Sequence, residues 1–185
     1  MIYRWTRVVH AGLPILTLGV CVEIFAGQLL QTSQHTLLLF PILFLTIPVI
    51  NSVAGNIGSV LGARLASGLH VGSIEMSFKD ATLRENVFTA IVLGSVTYFI
   101  LSIGIYSLAS YLDLTLGINL VEFVAIMVGA GITLVCIIAL ASVFTAVWSF
   151  KKGLDPDDMV APVVTTLGDT LGIIFLFVFI GVIVL

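Results

Sequence analysis

Residues 159–185 read MVAPVVTTLGDTLGIIFLFVFIGVIVL. This stretch exceeds the roughly 20 apolar residues that cross a hydrocarbon core about 30 Å thick. It holds one carboxylate, Asp169, and contains no Lys or Arg. An ionised Asp at the centre of a spanning helix costs about 2.5–3.5 kcal/mol on insertion scales, so such acids usually face a bundle interior, a partner or a permeating ion. Asp169 is therefore the first candidate functional residue.

The whole chain has the composition of an integral membrane protein. It is 59% hydrophobic and 9% charged, with a mean hydropathy of +1.24, whereas a soluble domain is about 25% charged. Hydropathy predicts an all-α fold of five spans, at about 8–30, 37–66, 86–110, 120–148 and 159–184. We expect a single transmembrane domain over residues 1–185 in the cell membrane, without a soluble regulatory domain, a bound cofactor or a nucleic-acid partner.

The basic residues predict the orientation of these spans. All seven Lys and Arg precede the first span, flank the second-to-third connection or lie between the fourth and fifth spans, which places them on one side. They are Arg4, Arg7, Arg64, Lys79, Arg84, Lys151 and Lys152. Because positive residues favour the cytoplasmic side, we expect a cytoplasmic N-terminus and an external C-terminus.

The second span is too long for a plain crossing. From Leu37 to Gly68 it would extend about 48 Å as one helix, so it must tilt, break or project from the bilayer. Pro48 removes a backbone donor, and Asn51 and Asn56 bring amides to membrane depth. Loosened backbone is tolerated there only where it lines a cavity or packs on protein, so residues 48–62 are a second functional candidate.

The fifth span begins with a capping pattern. Asp155 is expected as the N-cap, with Pro156 at the first helical position. Pro162 is expected to bend the helix before Asp169. Asp169 would lie about 14 Å beyond Val160, near the bilayer midplane.

The pattern around Asp169 suits a hard cation. Thr165 and Thr166 precede Asp169 by four and three residues, so their hydroxyls share its helical face. Oxygen ligands suit Mg²⁺, which keeps several waters and takes one or two carboxylates. The alternative is that Asp169 is a protonated, hydrogen-bonded packing residue.

Two further acids lie toward the outer side, Glu23 in the first span and Glu122 at the start of the fourth. They are candidates for an acidic vestibule that concentrates cations. Residues so near an interface can also extend to water.

Enzyme motifs are not apparent. Leu167-Gly-Asp169 is similar to the Gly-x-Gly-Asp pattern of intramembrane aspartyl proteases, but Thr166 replaces the first Gly and no second mid-span Asp exists to complete the pair. We therefore expect no catalytic activity.

Two stretches carry a family resemblance. The first reads PVINSVAGNIGS at 48–59, followed by RLASGL at 64–69. It resembles the second-helix pattern of the MgtE family of Mg²⁺ transporters and its eukaryotic solute-carrier relatives. The second reads Asp155-Pro156, followed by APVVTTLGDTLG at 161–172. It resembles the fifth-helix pattern of that family. The resemblance covers about residues 37–185.

The resemblance implies a function and an assembly. Asp169 would match the central cation-binding Asp and Asn56 the pore-lining Asn. From the residue pattern rather than the resemblance, Thr165, Thr166 and Gly55 are further ion-binding candidates, and Asn51 and Pro48 are candidates beside the pore. The transported ion would be Mg²⁺, with Mn²⁺ or Co²⁺ as alternatives. The pore would lie at the axis of a homodimer, or of a pair with a homologous five-helix subunit. A non-conducting subunit that uses Asp169 for assembly, and an exchanger coupled to protons or Na⁺, stay open.

Overall fold

The computed structural model describes residues 5–74 and 80–184, and within them every regular element is helical. The helices are α1 (Trp5–Thr32), α2 (Gln34–Leu39), α3 (Leu43–Val71), α4 (Ala81–Tyr111), α5 (Leu120–Lys151) and α6 (Pro156–Ile183). Five helices are long and apolar enough to span a bilayer, which confirms the predicted all-α fold. Arg4 and Lys79 lie outside the described residues, and the orientation stays a prediction.

The second predicted span is divided. The chain leaves the helical conformation at Phe40 (φ −124°, ψ 78°), so the six-residue α2 is separated from α3. Pro41 explains the break, because a proline disfavours helical geometry at the residue before it. The break separates α2 from the span, but α3 alone still has 29 residues, about 44 Å as a helix, so α3 must tilt or project from the bilayer.

The expectation of loosened backbone over residues 48–62 is wrong. α3 runs without interruption through this stretch, with Pro48 inside it. Pro48 lies in the second turn, where it removes one backbone bond close to the start of the helix. The polar side chains also bond locally: Asn56 Nδ2 donates to Ser52 Oγ at 3.3 Å, and Ser59 Oγ donates to the Gly55 carbonyl at 2.8 Å. The helix is therefore continuous over residues 48–62, apart from the one bond that Pro48 cannot make.

The helix ends follow local sequence signals. The Asp155 carboxylate accepts from the Asp157 amide at 3.1 Å and Pro156 is the first helical residue, which confirms the predicted cap of α6. Asp80 caps α4, and Asn119 with Glu122 forms a reciprocal capping box at α5. α3 ends at Gly72, whose φ of 76° is left-handed and therefore favours glycine. These caps satisfy backbone groups that the helix ends would leave unpaired.

Helices α3, α5 and α6 pack against one another, α4 lies on α3 and α5, and α1 packs on α6. Tyr98 links several of them, because its ring lies against Gly131 of α5 and its hydroxyl donates to the Ile50 carbonyl of α3 at 2.7 Å. In lipid, helix association depends on van der Waals packing and such hydrogen bonds. α6 is thus held between the core helices and the peripheral α1.

Candidate functional site

Asp169 is half-buried and lies on α6 between its contacts with two other helices. Gly168 faces α3, since a Cβ there would lie 3.4 Å from the Gly55 nitrogen. Thr166 faces α1, since a Cβ on Gly19 would lie 2.8 Å from Thr166 Oγ1. Asp169 is rotated roughly 100° from Gly168 and roughly 60° from Thr166 around the helix. Its carboxylate therefore lies where α6 emerges between α1 and α3.

Glycines of α3 allow close contact with the turn of α6 that precedes Asp169. A Cβ on Gly55 would lie 3.2 Å from Thr165 Cγ2, and one on Gly58 would lie 2.9 Å from Val164 Cβ. Thr165 is exposed, and its hydroxyl donates to the carbonyls of Ala161 (2.9 Å) and Pro162 (3.1 Å). Because that proton is used within the helix, the Thr165 oxygen presents its lone pairs outward as an acceptor.

The Asn51 side chain of α3 contacts α6 at Gly172, about one helical turn after Asp169. Its Oδ1 is buried against Gly172 and accepts no hydrogen bond from the described residues. A Cβ on Gly172 would occupy the space of this oxygen. Asn51 therefore lies inside the α3–α6 contact, and its place beside a pore stays a prediction.

Asn56 is exposed, and it lies on the side of α3 that faces α4, whereas Gly55 lies on the side that faces α6. It borders a groove of about 230 Å³ between α3 and α4, together with Arg64 and Asn86. No hydrogen bond joins Asn56 to Asp169 in the part of the chain that the structure describes. The two residues most strongly implied by the family pattern thus lie on two helices that pack together, α3 and α6.

The two outer acids have different surroundings. Glu122 accepts from the Asn119 amide at 3.0 Å within the capping box of α5. Glu23 is exposed within α1, four residues after Gly19, which packs against Thr166 of α6. Within residues 5–74 and 80–184, no three His, Cys, Asp or Glu side chains form a group that could hold a metal ion. Any cation at Asp169 would therefore keep waters or take ligands from elsewhere.

Neighbouring helices together present a surface that we call the polar face. It consists of Glu23 of α1, Ser52 and Asn56 of α3, and Thr165 and Asp169 of α6, of which only Asp169 is partly buried. The sequence analysis did not select Ser52, although its four-residue spacing from Asn56 places both on one helical face. Polar groups at membrane depth need water or protein to satisfy them.

Comparison with known proteins gives two matches. A family model described as MgtE, divalent cation transporter, matches residues 47–179. Solute carrier family 41 member 2 of Gallus gallus is 27% identical over 188 aligned positions, which cover 89% of this chain and 30% of that protein. No solved structure matches significantly. The chain thus spans less than a third of the length of this relative.

The matched region contains nearly all of α3, all of α4 and α5, and α6 as far as Phe179, including Asn56 and Asp169. With its five apolar spans, this integral membrane protein belongs to the MgtE family of divalent cation transporters.

Proposed function

We propose that this chain transports divalent cations, Mg²⁺ foremost, along the polar face, with Asp169 as the principal ion-binding residue. The observation that carries this proposal is the polar face itself. A half-buried carboxylate lies there beside exposed hydroxyl and amide groups, in spans whose exposed residues are otherwise mostly large and apolar. Family membership supports the same function.

The available ligands suit an ion that retains water. Mg²⁺ loses its hydration shell reluctantly and is usually held by one or two carboxylates with several waters. Asp169 supplies the charge, while Thr165 and Asn56 present oxygens that can accept from bound water. Thr166 and the Gly55 carbonyl flank the same path on α6 and α3.

The assembly that best accounts for the polar face is a dimer. A second copy, or a homologous five-helix subunit, would bring α3 and α6 of each unit together around a shared axis. Exposed polar groups would then line a water-filled path, and the surrounding apolar residues would contact lipid or the partner. Each unit would contribute one Asp169 to the path.

The test is Mg²⁺ flux into liposomes that contain the purified chain. Asp169→Asn removes the charge with little change in volume, and we expect it to reduce flux at least about tenfold, since an intramembrane acid of this kind is functional by default. Asp113→Asn is the matched control, because Asp113 lies in a turn at a φ of 54°, a left-handed conformation that Asn tolerates. Control flux should equal wild type.

Other outcomes separate the alternatives. Unchanged flux in Asp169→Asn would refute the assignment of Asp169. Absence of flux in every variant would instead favour a non-conducting subunit that needs a partner chain. Flux that requires an opposing proton or Na⁺ gradient would identify an exchanger.

A further inference from the structure

Glu23 lies on the face of α1 that packs against α6. Gly19, four residues before it, and Ala26, three residues after it, are buried, whereas most of the intervening side chains are exposed. Residues three and four apart share one helical face. Glu23 is therefore positioned toward α6, although its side chain keeps access to the surface.

The register of the two helices places Glu23 near Asp169. The contact between Gly19 and Thr166 aligns α1 with α6. Spans alternate in direction, so the first and fifth of the five run the same way. One turn beyond the contact, α1 presents Glu23 and α6 presents Asp169.

No Lys or Arg follows Arg7 on α1, and α6 contains neither. No Lys or Arg occurs between Arg7 and Arg64, or after Lys152. α1 also continues to Thr32, about 14 Å beyond Glu23 along the helix axis, so Glu23 does not lie at the end of the span. An acid in this position is expected to face an ion, a partner or a water-filled cavity.

A divalent cation would compensate the negative charges of both carboxylates. Like charges repel strongly where water is scarce. A single Mg²⁺ compensates both carboxylates, whereas Na⁺ compensates one. Ligand charge count is also a main determinant of affinity for hard cations. A second carboxylate would therefore strengthen divalent binding more than monovalent binding.

We propose that Glu23 is the second carboxylate of the ion site, acting with Asp169 across the contact between α1 and α6 to favour divalent over monovalent cations. This inference rests on the proposed transport function and assigns Glu23 to the ion-binding site rather than to an outer vestibule.

The test is the Mg²⁺-dependent rise in thermal stability of the full chain purified in detergent, measured with a fixed excess of Na⁺. Ligand binding to the folded state raises the unfolding temperature with concentration. For Glu23→Gln we expect the half-maximal Mg²⁺ concentration to rise at least about tenfold, because one ligand charge is lost. Glu23→Asp, which keeps the charge, should lie closer to wild type.

Glu85→Gln is the matched control, since it makes the same chemical change at an exposed position near the start of α4. It should respond to Mg²⁺ like wild type. If Glu23→Gln also matches wild type while Asp169→Asn loses the response, the role of Glu23 is refuted and the site at Asp169 stands. If wild type shows no Mg²⁺ response, both the inference and the proposed ion site fail.

Discussion

At the scale of single residues, the contact between Asn51 and Gly172 determines how closely α3 and α6 approach beside Asp169. The Asn51 oxygen occupies space that any side chain at position 172 would need. A Cβ at position 172 would also lie 3.4 Å from Leu134 Cδ2, so the Asn51 side chain would have to shift to admit it. Glycine at 172 is therefore required by packing, since the residue is helical and needs no unusual backbone conformation.

We predict that Gly172→Ala destabilises the protein by about 1–3 kcal/mol, the usual cost of overpacking a close contact. Gly181→Ala is the control on the same helix, because a Cβ there would meet no atom within 4 Å. Thermal unfolding in detergent should show a lower midpoint for Gly172→Ala alone. Equal midpoints for the two variants would contradict the packing argument.

At the scale of an element, the start of α6 determines the position of the helix that carries Asp169. Asp155 satisfies an amide of the first turn, and Pro156 supplies a backbone angle already suited to a helix. The Asp157 and Asp158 carboxylates are favoured by the positive end of the helix dipole. This capped first turn lies at one end of the span. It stabilises the helical turns between Pro156 and Pro162.

We predict that Asp155→Ala costs about 0.5–2 kcal/mol, the range measured for loss of an N-cap. Asp155→Asn should lose much less, since an Asn side chain also caps a helix. Amide hydrogen exchange over residues 156–161 should accelerate in the Ala variant. Equal exchange in the Ala and Asn variants would show that tertiary contacts, rather than the cap, hold this end of α6.

At the scale of the whole molecule, the polar face and the apolar surface should differ in their contact with water. Thr165 lies on the polar face, whereas Phe144 is an exposed apolar residue of α5. A covering partner would surround Thr165 with water and polar groups, while lipid would surround Phe144. The two positions therefore form a matched pair for chemical labelling.

We predict that a cysteine at position 165 reacts with a membrane-impermeant thiol reagent and that one at 144 does not, because the reactive thiolate forms only where water has access. Thr165→Cys and Phe144→Cys would be made with Cys21 and Cys136 replaced by Ala. Mg²⁺ should slow the reaction at 165. Similar reactivity at both positions would argue against a water-lined path at the polar face.

Five spans, the cap of α6 and the family motifs could be predicted from the sequence. Each depends on local properties: hydropathy over about 20 residues, a polar residue before a helix, and fixed spacing within one segment. The break before α3 has a local cause at Pro41, but the expected loosening around Asn56 did not occur, since its amide bonds to Ser52 within a continuous helix.

The sequence by itself determined that this protein crosses a membrane and carries an acid at mid-depth in its last span. Only the tertiary structure placed the Asn51 oxygen against Gly172, Asn56 beside α4 and Gly19 of α1 against Thr166 of α6. The physical reason is that hydropathy and capping act along one segment. The direction a side chain takes in a bundle instead depends on rotation and register between helices, which close contacts such as Gly19 with Thr166 determine.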